Sequence, residues 1–89
     1  MNQIKDLLGK KFTSFMLTPT GFQISAEGAI VNFNGKNVSG DFAAALVKGE
    51  VITNVGVHYY TYDNDLQDFA ALTIVQGNRY CAINFYGDL

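Results

Sequence analysis

The sequence predicts an α+β fold: a twisted antiparallel sheet of about six strands with two short helices, in the order α-β-β-β-α-β-β-β. Three observations carry that expectation. Apolar and polar residues alternate with a period of two in several stretches, the mark of a half-buried strand. Turn-forming residues punctuate those stretches at hairpin spacing. Only two windows have helical spacing, and both are short. A small closed β-barrel is the alternative. The open sheet is preferred because six strands and two short helices leave little with which to fill a large barrel.

The first element is a short helix. Asn2 can cap it, Ile4, Leu7 and Leu8 follow i, i+3, i+4 spacing, and Gly9 is placed to end it. An isolated helix of this length is marginal, so it is expected to lie as a lid on the sheet. A Phe- and Thr-rich strand follows over 11–17, and Thr18-Pro19-Thr20-Gly21 supplies a turn. Phe22, Ile24 and Ala26 then alternate with Gln23 and Ser25, and Glu27-Gly28 reads as a tight turn. Val31 and Phe33 alternate with Asn32 and Asn34 in a third strand. Asn34-Gly35 is a strong hairpin signal, with a short return arm over 36–38.

Ser39-Gly40-Asp41 can cap a second helix running to Lys48, with Phe42, Ala45 and Leu46 on one face and Gly49 as its stop. The remainder reads as three long strands, over 51–62, 68–76 and 79–86. Asp63-Asn64-Asp65 and Gly77-Asn78 separate them. In the first, Val51, Val55, Val57 and Tyr59 share one face, and Asn54, His58, Tyr60 and Tyr62 the other. In the last, Cys81, Ile83 and Phe85 oppose Tyr80, Ala82, Asn84 and Tyr86.

Composition narrows the function classes. The 89 residues suit a single domain, 1–89. With 48% hydrophobic and 16% charged residues, the chain has enough apolar surface to fold. Six Lys and Arg stand against eight Asp and Glu, and Lys10-Lys11 is the one adjacent basic pair. Direct nucleic-acid binding, which needs a clustered basic face, is therefore disfavoured. A lone cysteine, Cys81, allows neither an intrachain disulfide nor a cysteine zinc cage. The first residues lack the apolar run of a signal peptide, and the longest apolar run, 42–47, is too short to span a bilayer. No membrane association and a cytoplasmic location are the expectation.

Motifs for chemistry are missing. His58 is the single histidine, and a nucleophile-and-base pair would need it beside Cys81 or a serine. Cys81 instead sits among Ile83 and Phe85 and reads as a buried thiol. Asp63, Asp65 and Asp68 resemble a calcium loop only superficially. Counting from Asp63, the glycine position holds Asp68 and the twelfth holds Ile74. No phosphate-cradling glycine pattern occurs. Neither cofactor nor metal is expected.

What stands out is one aromatic-acidic hairpin: His58, Tyr60, Tyr62, Asp63, Asp65 and Asp68. Tyrosine offers a rigid, amphipathic contact surface, and acidic neighbours steer such a surface towards a basic partner. The expected function is a small non-catalytic protein-binding module. In its sharper form this is an inhibitor or immunity-type protein, of the kind phages and mobile elements carry, blocking a larger enzyme through a basic surface. The alternative is a small-molecule (metabolite or nucleotide) binding protein with an aromatic pocket oriented by His58, Asn54 or Arg79. An enzyme ranks last. Open strand edges also make a homodimer an expected state.

Overall fold

The computed structural model describes residues 3–36, 40–61 and 68–86. A 3₁₀ helix, Ile4–Leu7, leads into strands β1 (Phe12–Thr18), β2 (Gly21–Ala26) and β3 (Ala29–Asn34). A short helix α1 (Gly40–Ala45) then precedes β4 (Asn54–Thr61), β5 (Asp68–Gln76) and β6 (Arg79–Tyr86). The six expected strands are present, and every pairing between them is antiparallel. They do not make one sheet. β1-β2-β3 and β4-β5-β6 are separate three-stranded sheets, and neither closes into a barrel.

The reason lies at the start of β1. Lys11 faces Val51 in an isolated bridge, flanked by hydrogen bonds from Ile52 N–H to Lys10 O (2.8 Å) and from Phe12 N–H to Glu50 O (3.0 Å). Gly49 N–H also donates to Phe12 O at 2.8 Å. The register then slips: Phe12 opposes Ala26, but Ser14 opposes Ser25, so Thr13 is extra. A bulge bends and twists its strand. Beyond it β1 stays with β2 alone, and one continuous sheet gives way to two.

The two sheets share one core. Phe22 is fully buried, and its ring lies 4.7 Å from Phe33, 5.4 Å from Phe15 and 5.9 Å from Phe85, centroid to centroid. Phe85 belongs to β6, so this last contact joins the sheets. Ile24 and Val31 from one sheet, and Leu72, Ile74 and Cys81 from the other, complete the cluster with Leu7, Phe42 and Leu46 from the helical segments. Burying each large apolar side chain contributes about 1.5–3 kcal/mol.

Both helical segments are shorter than their spacing predicts. At the first, Gln3 N–H donates to Asp6 Oδ2 (2.8 Å), and a single 3₁₀ turn is enough to bury Leu7. Leu8 does not join it: its backbone is extended and half its side chain is exposed. The chain must straighten there, because Gly9 N–H donates to Ile52 O (2.8 Å) in the ladder that begins at once. The expected cap, Asn2, lies outside the described residues. α1 stops at Ala45 rather than Lys48, because Val47 N–H donates to the side-chain Oε1 of Gln76 (2.9 Å) instead of continuing the helix. Ser39 and most of the 36–38 return arm lie outside the described residues. Lys36, which is within them, is not in a strand. Among the described residues no helix is long and apolar enough to cross a membrane.

Glu27 and Gly28 form the two-residue turn between β2 and β3, both at positive φ (43° and 89°). Glycine is at home there; glutamate is not. The Glu27 carboxylate compensates by accepting Lys11 N–H (2.7 Å), which anchors the chain just before the bulge. Because both residues are exposed, Glu27→Ala is expected to cost only about 1 kcal/mol. Glu27→Gln keeps the acceptor and is expected to lose less than half as much in urea denaturation. Equal losses would show that the bond contributes nothing.

Candidate binding surface

The β4-β5-β6 sheet buries one face and exposes the other. Val55 and Val57 on β4, Leu72 and Ile74 on β5, and Cys81 and Phe85 on β6 turn into the core. Alternation sends their neighbours outward. Register stacks that outer face into rows across the sheet: Asn54, Val75 and Tyr80; then Gly56, Thr73 and Ala82; then His58, Ala71 and Asn84. The fourth row pairs Tyr60 with Phe69, and Phe69 in turn with Tyr86.

At this last end the rings stack. His58 lies 6.0 Å from Tyr60 with planes 19° apart, and Tyr60 lies 5.4 Å from Phe69 with planes 14° apart. His58 is exposed, Tyr60 half-buried and Phe69 buried at 8%. The three form a ladder from solvent down onto the sheet. Near-parallel rings at this separation contribute about 0.5–1.5 kcal/mol per pair beyond their burial. The rings are therefore packed against one another on two paired strands.

Of the residues singled out from the sequence, the structure brings His58 and Tyr60 into direct contact. Asp68 opens β5 opposite Thr61, the last pair of the β4–β5 ladder. Tyr62, Asp63 and Asp65 lie outside the described residues. Phe69 was not among the expected site residues. Its signal was there, since parity with Ala71 and Thr73 puts it on the outer face, but pairing with Tyr60 depends on the cross-strand register. Tyr80 shares the outer face, as the alternation predicts, yet it stands two rows from the His58 row, at the opposite end of the sheet.

One arrangement weighed from the sequence is not assembled. Cys81 is buried on the inner face and His58 is exposed on the outer, so the sheet itself separates them. Burial pushes the Cys81 thiol up from its ordinary value, with nearby Arg79 partly opposing, which keeps it protonated and weakly nucleophilic. Among the described residues, no three His, Cys, Asp or Glu side chains gather in a metal-holding group.

Charge is distributed unevenly along this half of the chain. Between Lys48 and Arg79 there is no lysine or arginine, whereas Glu50, Asp63, Asp65 and Asp68 all fall in that interval. Compared with known protein families, curated proteins and solved structures, the chain matches none of them.

Proposed function

We propose that this protein is a small non-catalytic binding module whose β4–β5 hairpin engages a basic surface on a larger protein. The observation that carries the reading is the His58-Tyr60-Phe69 ring ladder, fixed on the two strands that flank the acidic stretch. Pre-stacked rings present contact area with little conformational entropy left to lose. The acids nearby attract lysine and arginine, and no cation of their own segment competes. A partner arginine can lie flat on such rings while pairing with a carboxylate. Blocking a basic working surface of a larger enzyme is the specific form of the proposal.

Affinity capture from host lysate, run beside a Tyr60→Ala/Tyr62→Ala/Asp63→Ala/Asp65→Ala chain of verified fold, tests it. The native protein is expected to hold one basic partner, to release it as salt is raised, and to lose it in the variant. A partner retained by the variant would place the contact on another surface and overturn the reading.

A further inference from the structure

Asn34-Gly35 is a hairpin signal in the sequence, but no type I′ turn forms there. That turn needs positive φ at both central residues. Gly35 has it (76°), whereas Asn34 ends β3 without it, paired with Gly21. The dipeptide has a second chemical meaning. Of the asparagines in the chain, Asn34 alone is followed by glycine. The backbone nitrogen of the next residue can attack an asparagine side-chain carbonyl, and a glycine there has no side chain to obstruct ring closure. Both residues are exposed, so water reaches them. Both are also held by a single neighbour, Thr20, in the turn between β1 and β2. Gly35 N–H donates to the Thr20 carbonyl oxygen, and the Thr20 hydroxyl donates to Asn34 Oδ1 at 3.0 Å.

We infer that Asn34 is a site of spontaneous side-chain amide hydrolysis, and that Thr20 keeps it shut in the folded chain. The reaction joins Gly35 N to Asn34 Cγ and leaves a five-membered cyclic imide. The side-chain nitrogen departs as ammonia, taking up the proton that Gly35 N gives up. One water then opens the ring. Breaking the bond from Gly35 N to Cγ yields aspartate. Breaking the bond from Gly35 N to the backbone carbonyl carbon yields isoaspartate, with the chain routed through Cγ. While the corner is closed, Gly35 N–H is engaged with Thr20 O, and Asn34 is held extended by its pairing with Gly21. The nucleophile is then unavailable, so the rate is that of the unfolded chain multiplied by the fraction of time the corner stands open. Only the end of β3 has to lift for this, a local fluctuation and not global unfolding. Isoaspartate adds one carbon to the backbone between Asn34 Cα and Gly35 N, which carries Gly35 N–H out of register with Thr20 O. An opening that ends in reaction therefore leaves a permanent carboxylate and a corner that does not reclose. The inference is independent of the hairpin's partner.

Peptide mapping of the full chain, incubated at mildly alkaline pH in buffer and in guanidinium chloride, tests it. Asn34 is expected to convert at least about tenfold more slowly in the folded chain than in the unfolded one. Thr20→Val keeps the carbonyl acceptor and removes the hydroxyl. It is expected to speed conversion about two- to tenfold in buffer, the effect of one lost hydrogen bond, and to leave the rate in denaturant unchanged. Thr20→Ser retains the hydroxyl and is expected to stay near the native rate. Hydrogen exchange at the Gly35 amide reads the same opening in the native chain, and serves where Thr20→Val fails to fold. Its protection is expected to match the slowing of conversion within about threefold. Equal rates in the folded and unfolded native chain, a well-folded Thr20→Val chain that converts no faster than the native, or Gly35 protection that departs from the slowing by more than that would each overturn the inference.

Discussion

A Gly21→Ala chain is expected to unfold about 12–24 °C below the native protein, the consequence of losing about 3 kcal/mol in a domain of this size. Gly21 opens β2 and pairs with Thr18 on one side and Asn34 on the other. A Cβ placed there would overlap the carbonyl oxygen of Phe33 and approach its carbon to 3.1 Å and the Asn34 Cα to 3.3 Å. Those atoms are all backbone. None can swing aside as a side chain would, so β2 and β3 must separate locally.

The separation is costly because of what is tied to that corner. Gly35 N–H donates to Thr20 O, and the Thr20 hydroxyl donates to Asn34 Oδ1 at 3.0 Å, joining the β1–β2 turn to the end of β3. The adjacent pair is Phe22 and Phe33, whose rings stack 4.7 Å apart in the core. Displacing the strands by even a fraction of an ångström loosens that stack. Gly56→Ala provides the control. It is also a strand glycine, but nothing lies within 4 Å of its Cβ position, and its φ is ordinary. That substitution is expected to be neutral or to stabilise by up to about 1 kcal/mol, through a less flexible unfolded chain. Thermal unfolding of both variants separates steric overlap from strand propensity. Similar losses in the two would mean that the Phe33 carbonyl is not the cause.

The contrast between these glycines shows which parts of the fold local sequence can convey. The bounds of β5 and β6 follow directly from alternation and from the two-residue Gly77-Asn78 turn, where Gly77 adopts a φ of 66°. Nothing nearby competes, so local pattern and structure agree. The stretch expected as one strand over 51–62 is different. Val51 is partly exposed and Ile52 fully buried, yet Val55 and Val57 face the core, so the alternation breaks between Ile52 and Val55. Thr53 makes the break: its N–H and hydroxyl both donate to Val75 O (2.8 and 3.2 Å), and the hydroxyl accepts Gly77 N–H at 3.0 Å. Those partners are more than twenty positions away, and no local period encodes them. The same holds for Lys11 facing Val51, the contact that decides between one sheet and two. Of the binding surface, the face of His58 and Tyr60 was legible from parity. The stacking of Tyr60 on Phe69 was not, because it needed the register.

Gln76 makes another such distant contact, with its side chain hydrogen-bonded to backbone 26 and 29 positions away. Among the described residues it is the buried polar side chain of the core, 3% exposed, at an inward position where the pattern of β5 would favour an aliphatic side chain. Its amide serves the backbone between α1 and β4. Oε1 accepts Val47 N–H (2.9 Å), while Nε2 donates to Val47 O (2.8 Å) and to Glu50 O (3.2 Å). That short segment also supplies Gly49 and Glu50 to the ladder with Phe12. One side chain of the second sheet thereby positions the backbone that holds the first. Gln76→Leu fills the same space but leaves a donor and two acceptors without the amide, at an expected cost of about 2–4 kcal/mol. Gln76→Glu keeps the acceptor and loses both donors at neutral pH. A carboxylate buried against two carbonyl oxygens has its pKa raised in the folded state, so this variant is expected to regain stability as pH falls and to lose it as pH rises. Hydrogen exchange distinguishes a local clamp from general loosening. In Gln76→Leu, the amides of Gly49, Phe12 and Ile52 are expected to lose protection before those of Ile24 and Leu72, since the junction opens while each sheet keeps its own ladder. Uniform loss across both sheets would mean instead that the junction and the core unfold as one unit, with no separate local clamp at Gln76.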